Sequence, residues 1–209
     1  MYDQPVASPK GPSPRRRTAP RKGDLREAAI LDAAERQLSD RGADRITVET
    51  IATAAGITRG ALYFYFGSKN DVLAALVERT VTAVVTEIEA ADQAAPEDGR
   101  EALRQGVRRT ADTWAEHGSV MRAAVELSAG VPQIDAYWQG AIEATGAATR
   151  SALVRCGVPD DDGPNGARAI SAALVLMTER YFYSASKHGT SLAEAAETLT
   201  HIWLAVLPG

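Results

Sequence analysis

Between Thr47 and Phe66 the chain sets two short apolar patterns of helical spacing on either side of one glycine, and few folds accommodate that arrangement. Val48, Ile51, Ala52 and Ala55 fall at i, i+3, i+4 and i+7, one face of an α-helix. Gly56 turns the chain, Thr58 is placed to cap a second helix through its hydroxyl, and Leu62 and Phe66 lie four apart on one side of that helix. Upstream, "DLREAAILDAAERQLSDRG" opens on Asp-x-x-Glu and carries Ile30, Leu31, Ala34 and Leu38 down one face until Gly42 ends it. A bracing helix followed by two short helices about a glycine is a helix-turn-helix, which presents the start of its second helix to a groove.

That geometry assigns work to the stretch "TRGALYFYFGSKNDVL". Leu62 and Phe66 anchor the helix, leaving Thr58, Arg59, Gly60 and Ala61 at its exposed end. Arg59 is the long base-reading side chain there, and a bidentate pair with guanine discriminates by roughly five- to a hundredfold. Gly60 and Ala61 allow close approach. Tyr63 and Tyr65 flank the helix with hydroxyls that reach phosphates and rings that touch thymine methyls. Ser68 to Asp71 is a further capping box, and Lys69 beside it adds charge and backbone N–H groups at another phosphate.

The rest of the chain reads as helix. Residues 69–95 contain neither glycine nor proline, which predicts a helix of about 24 residues and about 36 Å. Pro96 and Gly99 mark a linker, and further helices are expected near 100–117, 119–129, 133–156, 164–187 and 191–207. Strand-like alternation and internal repeats are absent. The predicted fold is all-α with about nine helices, organised as a basic disordered arm over 1–23, a DNA-binding domain over 24–67 and an effector-binding and dimerisation body over 68–209.

Charge divides the same way. Residues 1–70 carry 12 Lys/Arg against 8 Asp/Glu, and residues 71–209 carry 11 against 19, beneath a net charge of -4. A basic head on an acidic body suits a phosphate backbone. The arm holds five of the ten prolines and six basic residues against one acid; Arg15, Arg16, Arg17 and Arg21 would enter a minor groove, or form a solvated tail. Cys156 has no intrachain partner, and His117, His188 and His201 lie too far apart in sequence for metal-ligand spacing. No nucleophile motif or phosphate loop occurs, so no catalytic residue, metal or cofactor is expected and an enzyme is disfavoured. No apolar run is long enough for a membrane span or a signal core, and a reducing cytoplasm is the expected location.

In the body, three stripes mix apolar bulk with small hydroxyls: Val107, Thr110 and Trp114; Trp138, Ile142, Thr145 and Thr149; and Val175, Thr178, Glu179 and Tyr183. A close-packed core favours Leu and Ile, whereas a ligand cavity tolerates threonine and aromatic rims, so each stripe reads as pocket, with ordinary core as the alternative. One short reading helix covers too few base pairs for selectivity, which calls for a homodimer on a palindrome. The last two helices are apolar on more than one face and are the expected interface, with Leu174, Tyr181, Leu199 and Val206 as candidates and core packing as the alternative for each.

"TVETIATAAGITRGALYFYFGSKNDVL" closely resembles the signature of TetR-family transcriptional regulators, over residues 26–76. The resemblance implies DNA-contact roles for Thr47, Thr58, Arg59, Gly60, Tyr63, Tyr65 and Lys69; Tyr65 stands where many members have histidine. It also implies dimerisation through the last two helices. "GDLREAAILDAAERQL", "YFYFGSK", "ALVLMTER" and the terminal "HIW" resemble the EthR-like branch, whose hydrophobic tunnel accepts extended lipophilic esters or amides. Trp138, Thr149, Glu179 and Trp203 fit that branch's pocket. Val175 and Thr178 depart from it by replacing asparagines, and Leu103, Thr110 and Thr145 by replacing aromatics. The function so implied is a repressor of a double-stranded palindromic operator, released by a small hydrophobic effector; a DNA organiser with no effector pocket is the alternative.

Overall fold

The computed structural model describes residues 22–208. Arg15, Arg16, Arg17 and Arg21, and with them the expected arm, lie outside the described residues. The arm's predicted end moves inward, because the first helix, α1 (Lys22–Arg41), already includes Lys22 and Gly23. Asp24 therefore sits within the first turn, where a carboxylate favours the helix dipole, and not at the cap.

The helix-turn-helix follows as α2 (Val48–Ala54) and α3 (Arg59–Tyr65). Each is started by a threonine hydroxyl. Thr47 Oγ1 accepts from the Thr50 N–H at 3.2 Å while Thr50 Oγ1 accepts from the Thr47 N–H at 3.0 Å. Thr58 Oγ1 accepts from the Ala61 N–H at 3.1 Å. Gly56 makes the turn with φ +66, a conformation that L side chains rarely adopt. Ile30, Leu38, Ile46, Ile51, Leu62 and Phe66 close the core of this head.

The body is α4 (Lys69–Gln93), α5 (Gly99–Leu127), a 3-10 turn at Ser128–Gly130, α6 (Pro132–Arg155), α7 (Ala167–His188) and α8 (Leu192–Ala205). That makes eight α-helices among the described residues, or nine with α5 divided at its kink, and no strand. The break expected between the helices near 100–117 and 119–129 is present as a kink at His117, whose φ -113 and ψ 20 leave the helical region and divide α5 into two stretches. Gly118 follows that kink and packs closely, since a Cβ there would stand 2.8 Å from Ser186 Oγ on α7. α5 is the hub, touching α4, α6, α7 and α8, and its buried residues join one core cluster that runs from Ile30 to Trp203. Leu174 and Leu199, offered as dimer contacts, belong to that core, exposed by 5% and 0%. Tyr181 and Val206 do reach the surface, as does Leu176. No helix among the described residues is long and apolar enough to cross a membrane.

Candidate nucleic-acid interface and effector cavity

The four consecutive aromatics divide between core and solvent. Phe66 caps α3 and is 7% exposed, Tyr65 is half-buried against the core, Tyr63 is 43% exposed, and Phe64 is 84% exposed. At about 100° per residue, Phe64 lies roughly 200° around the helix from Leu62, which is fully buried. The sequence reading gave Phe64 no role; that angle was the available signal. Its ring meets Tyr65 edge-on at 5.4 Å, a contact that leaves the outer ring uncovered.

Thr47, Thr58, Arg59, Gly60 and Ala61 are all exposed, and α3 brings the last four together on one end of the reading helix. Arg59 Nη2 donates to Tyr63 Oη at 3.2 Å and the guanidinium lies 5.4 Å from the Tyr63 ring centre. Hydrogen bonding to Tyr63 raises the guanidinium pKa further above its ordinary value. Ser68 caps α4 by accepting from the Asp71 N–H at 3.2 Å. Lys69, next in sequence, is half-buried and donates to the Ala43 carbonyl at 3.4 Å, tying α4 to the turn before α2 as well as offering charge near a backbone.

Below the head, α4 to α8 enclose a cavity of about 360 Å³. Thr110 and Trp114 reach it from α5; Trp138, Ile142, Thr145 and Thr149 from α6. Val175, Thr178 and Glu179 line it from α7, and Trp203 from α8. Two predicted residues are not brought to it. Val107 faces the packed interior at 1% exposure, and Tyr183 points the other way, donating to Glu126 Oε1 at 2.9 Å and receiving from Lys187 Nζ at 2.7 Å. A helical stripe spans more than one neighbour, so its ends turn away from the space its middle faces.

The cavity is lined by all three tryptophans of the chain. Trp114 and Trp138 meet edge-to-face with centroids 6.4 Å apart, and Trp203 Nε1 donates to Thr178 Oγ1 at 3.0 Å. Thr110, Thr145 and Thr149 donate to the carbonyls of Gly106, Ala141 and Thr145 at 3.0, 2.8 and 2.8 Å. Burial raises the Glu179 carboxyl pKa, with Arg180 opposing. Among the described residues Glu179 makes no hydrogen bond or salt bridge. His117, which sequence reading left unused, also lines the cavity; its Nδ1 is buried without a hydrogen-bond partner, 3.6 Å from Glu35 Oε1 on α1.

An exposed reading helix above an apolar cavity defines a DNA-binding regulator of the helix-turn-helix class. Residues 30–76 match the family described as bacterial regulatory proteins of the tetR family, and residues 103–209 match the C-terminal domain of the transcriptional regulator EthR. The HTH-type transcriptional regulator EthR of Mycolicibacterium smegmatis is 34% identical, over 90% of this chain and 89% of that protein. EthR of Mycobacterium tuberculosis is 33% identical over 93% and 92%. Among solved structures, the fatty acid degradation regulator FadR of Bacillus halodurans superposes with a TM-score of 0.72 at 19% identity, covering 86% of this chain and 94% of its own. The chain belongs to the TetR family of transcriptional regulators, in the group that shares the C-terminal domain of EthR. These relatives are regulators, not enzymes.

Proposed function

We propose that the protein is a repressor that reads a palindromic operator as a two-fold dimer and releases it when a small lipophilic effector fills the cavity. The observation that carries this reading is that one helix serves both ends. Arg79 of α4 donates to Asp32 at 2.7 Å and to Glu35 at 2.9 Å on α1, while Ala83, Val84 and Ile88, from one turn further along α4 onward, line the cavity. α5 makes a second link, since His117 touches the cavity and faces the same Glu35. Exposed Leu176 and Tyr181 on α7, and Val206 just past the end of α8, supply apolar surface for the second copy. A FadR of Bacillus subtilis that shares the fold is described in complex with stearoyl-CoA, which supports a long apolar chain as the general effector type.

The magnitude is adequate. Tilting α4, 25 residues and about 37 Å long, by about 10° moves its end roughly 6 Å, large against the 34 to 36 Å half-site spacing of one DNA turn. A coupling of about 1 to 3 kcal/mol is then sufficient for regulation. Selecting bound duplexes from random DNA, with and without lipid extract, tests the reading. The expected result is a palindrome whose occupancy the extract lowers; a non-palindromic site, or occupancy indifferent to every cavity ligand, would overturn it. Arg79→Ala should leave ligand binding intact while weakening release.

A further inference from the structure

Resting on the effector reading above, we infer that the cavity selects a lipophilic cation, an alkylammonium-type amphiphile, over the neutral esters and amides its apolar walls would otherwise suit. A neutral carbonyl ligand needs hydrogen-bond donors to replace the water it leaves. The walls offer few. Thr110, Thr145, Thr149 and Trp203 have each committed their donor to another protein group. Beyond the Thr178 hydroxyl, which accepts from Trp203, and the ring of His117, which stands beside Glu35 and Glu116, what remains is the Glu179 carboxyl, half-buried with no side-chain hydrogen bond or salt bridge of its own among the described residues.

A carboxylate in an apolar cavity is stabilised by a partner of opposite charge, and a desolvated ammonium gains most when aromatic faces surround it. Trp114, Trp138 and Trp203 are all within the walls, exposed by 2, 7 and 4%. The rim has the same sign. Glu87, Asp92, Asp112 and Glu116 border the cavity against Arg109 and Arg155, and Arg155 is itself 3.9 Å from Asp92. Such a rim draws cations inward and opposes anionic headgroups. The ring of His117 is flanked by Glu35 and Glu116 at 3.6 and 3.7 Å, and Arg180 follows Glu179 on α7 with its guanidinium over Tyr183 at 5.1 Å. At 360 Å³ the space lies at the small end of the roughly 300 to 1,000 Å³ range of ligand sites, enough for a chain of moderate length.

The test compares decyltrimethylammonium, decyldimethylamine N-oxide and methyl decanoate, each below its micelle concentration, by calorimetry on the full chain and by operator anisotropy. The cation is expected to bind at least tenfold tighter than either neutral ligand. Glu179→Gln should remove that advantage while leaving the N-oxide within about threefold, and the cation's affinity should fall as Glu179 is protonated on acidification. The ester or N-oxide binding as tightly as the cation, and releasing operator, would overturn the ligand class and keep the effector reading. Cation binding that never shifts operator affinity would keep the site and overturn its regulatory role; no binding by any of the three overturns the proposed site. The wild-type comparison decides the matter independently of how the variant folds.

Discussion

Phe64→Ala separates DNA contact from stability more cleanly than any other change in the head. Phe64 is 84% exposed, so a ring burying roughly 200 Å² when covered has about 170 Å² open to water. Covering half of that against thymine methyls and deoxyribose removes about 85 Å², worth about 2 kcal/mol at 25 cal/mol per Å². Association recovers only part of such area, so about 1 kcal/mol per head is the working figure, and about 2 kcal/mol for two heads, roughly thirtyfold in operator affinity. Folding should be nearly indifferent, because Phe64 contributes only the edge contact with Tyr65. The assay is an anisotropy titration at several salt concentrations beside a thermal melt. Because the lost contact is apolar, affinity should fall while the slope of log affinity against log salt stays put. Unchanged affinity would refute the argument, and so would a flatter slope, which would reassign the loss to displaced phosphate contacts.

Arg59→Ala should lower specific operator binding at least fivefold with a melting point shifted by no more than a few degrees, and should compress the ratio of specific to shuffled-duplex affinity. Equal losses on both duplexes would make Arg59 a backbone contact. Gly99→Ala should destabilise by about 1 to 3 kcal/mol in chemical unfolding, since its Cβ would stand 2.6 Å from the Ala152 carbonyl oxygen, which is backbone and cannot swing away. Gly140→Ala, in α6 with nothing within 4 Å, should instead stabilise by about 0.5 to 1 kcal/mol. At Glu126, burial pushes the carboxyl pKa up but hydrogen bonds from Lys187 and Tyr183 outweigh it, leaving it below the ordinary 4.5. A depressed folded-state value stabilises the protein above about pH 4.5 and ceases to do so as pH falls through it, so Glu126→Gln should cost less than about 1 kcal/mol at pH 7 and nothing near pH 2.

The head was legible because its determinants are local. Thr47, Gly56, Thr58 and Ser68 act within four residues of themselves, and the spacing of Ile51, Leu62 and Phe66 needs no knowledge of the partner surface. The body was less so. The break between 117 and 119 was legible and appears as the kink at His117, but the close approach of Gly118 to α7 was not, because it involves a residue 68 positions away. Leu174 and Leu199 looked like interface because periodicity marks a face as apolar without saying which surface covers it. Val107 and Tyr183 failed for the same reason at the ends of their stripes.

The threonines show how a correct location can carry a misleading chemistry. In sequence, Thr110, Thr145 and Thr149 suggest a cavity with hydroxyls on offer. In a helix, a threonine can turn its hydroxyl back to the carbonyl four residues earlier, and all three do, which spends the proton and leaves the methyl as the more available part of the wall. Thr178 keeps its oxygen on Trp203, closing that side as well. Counting hydroxyls therefore overstates the cavity's polarity, and beside the ring of His117 the half-buried group left without a partner is the Glu179 carboxyl, its pKa raised by burial against the opposing charge of Arg180. Ligand choice in such a space turns less on how many polar residues line it than on which of them remain uncommitted once the helices have formed.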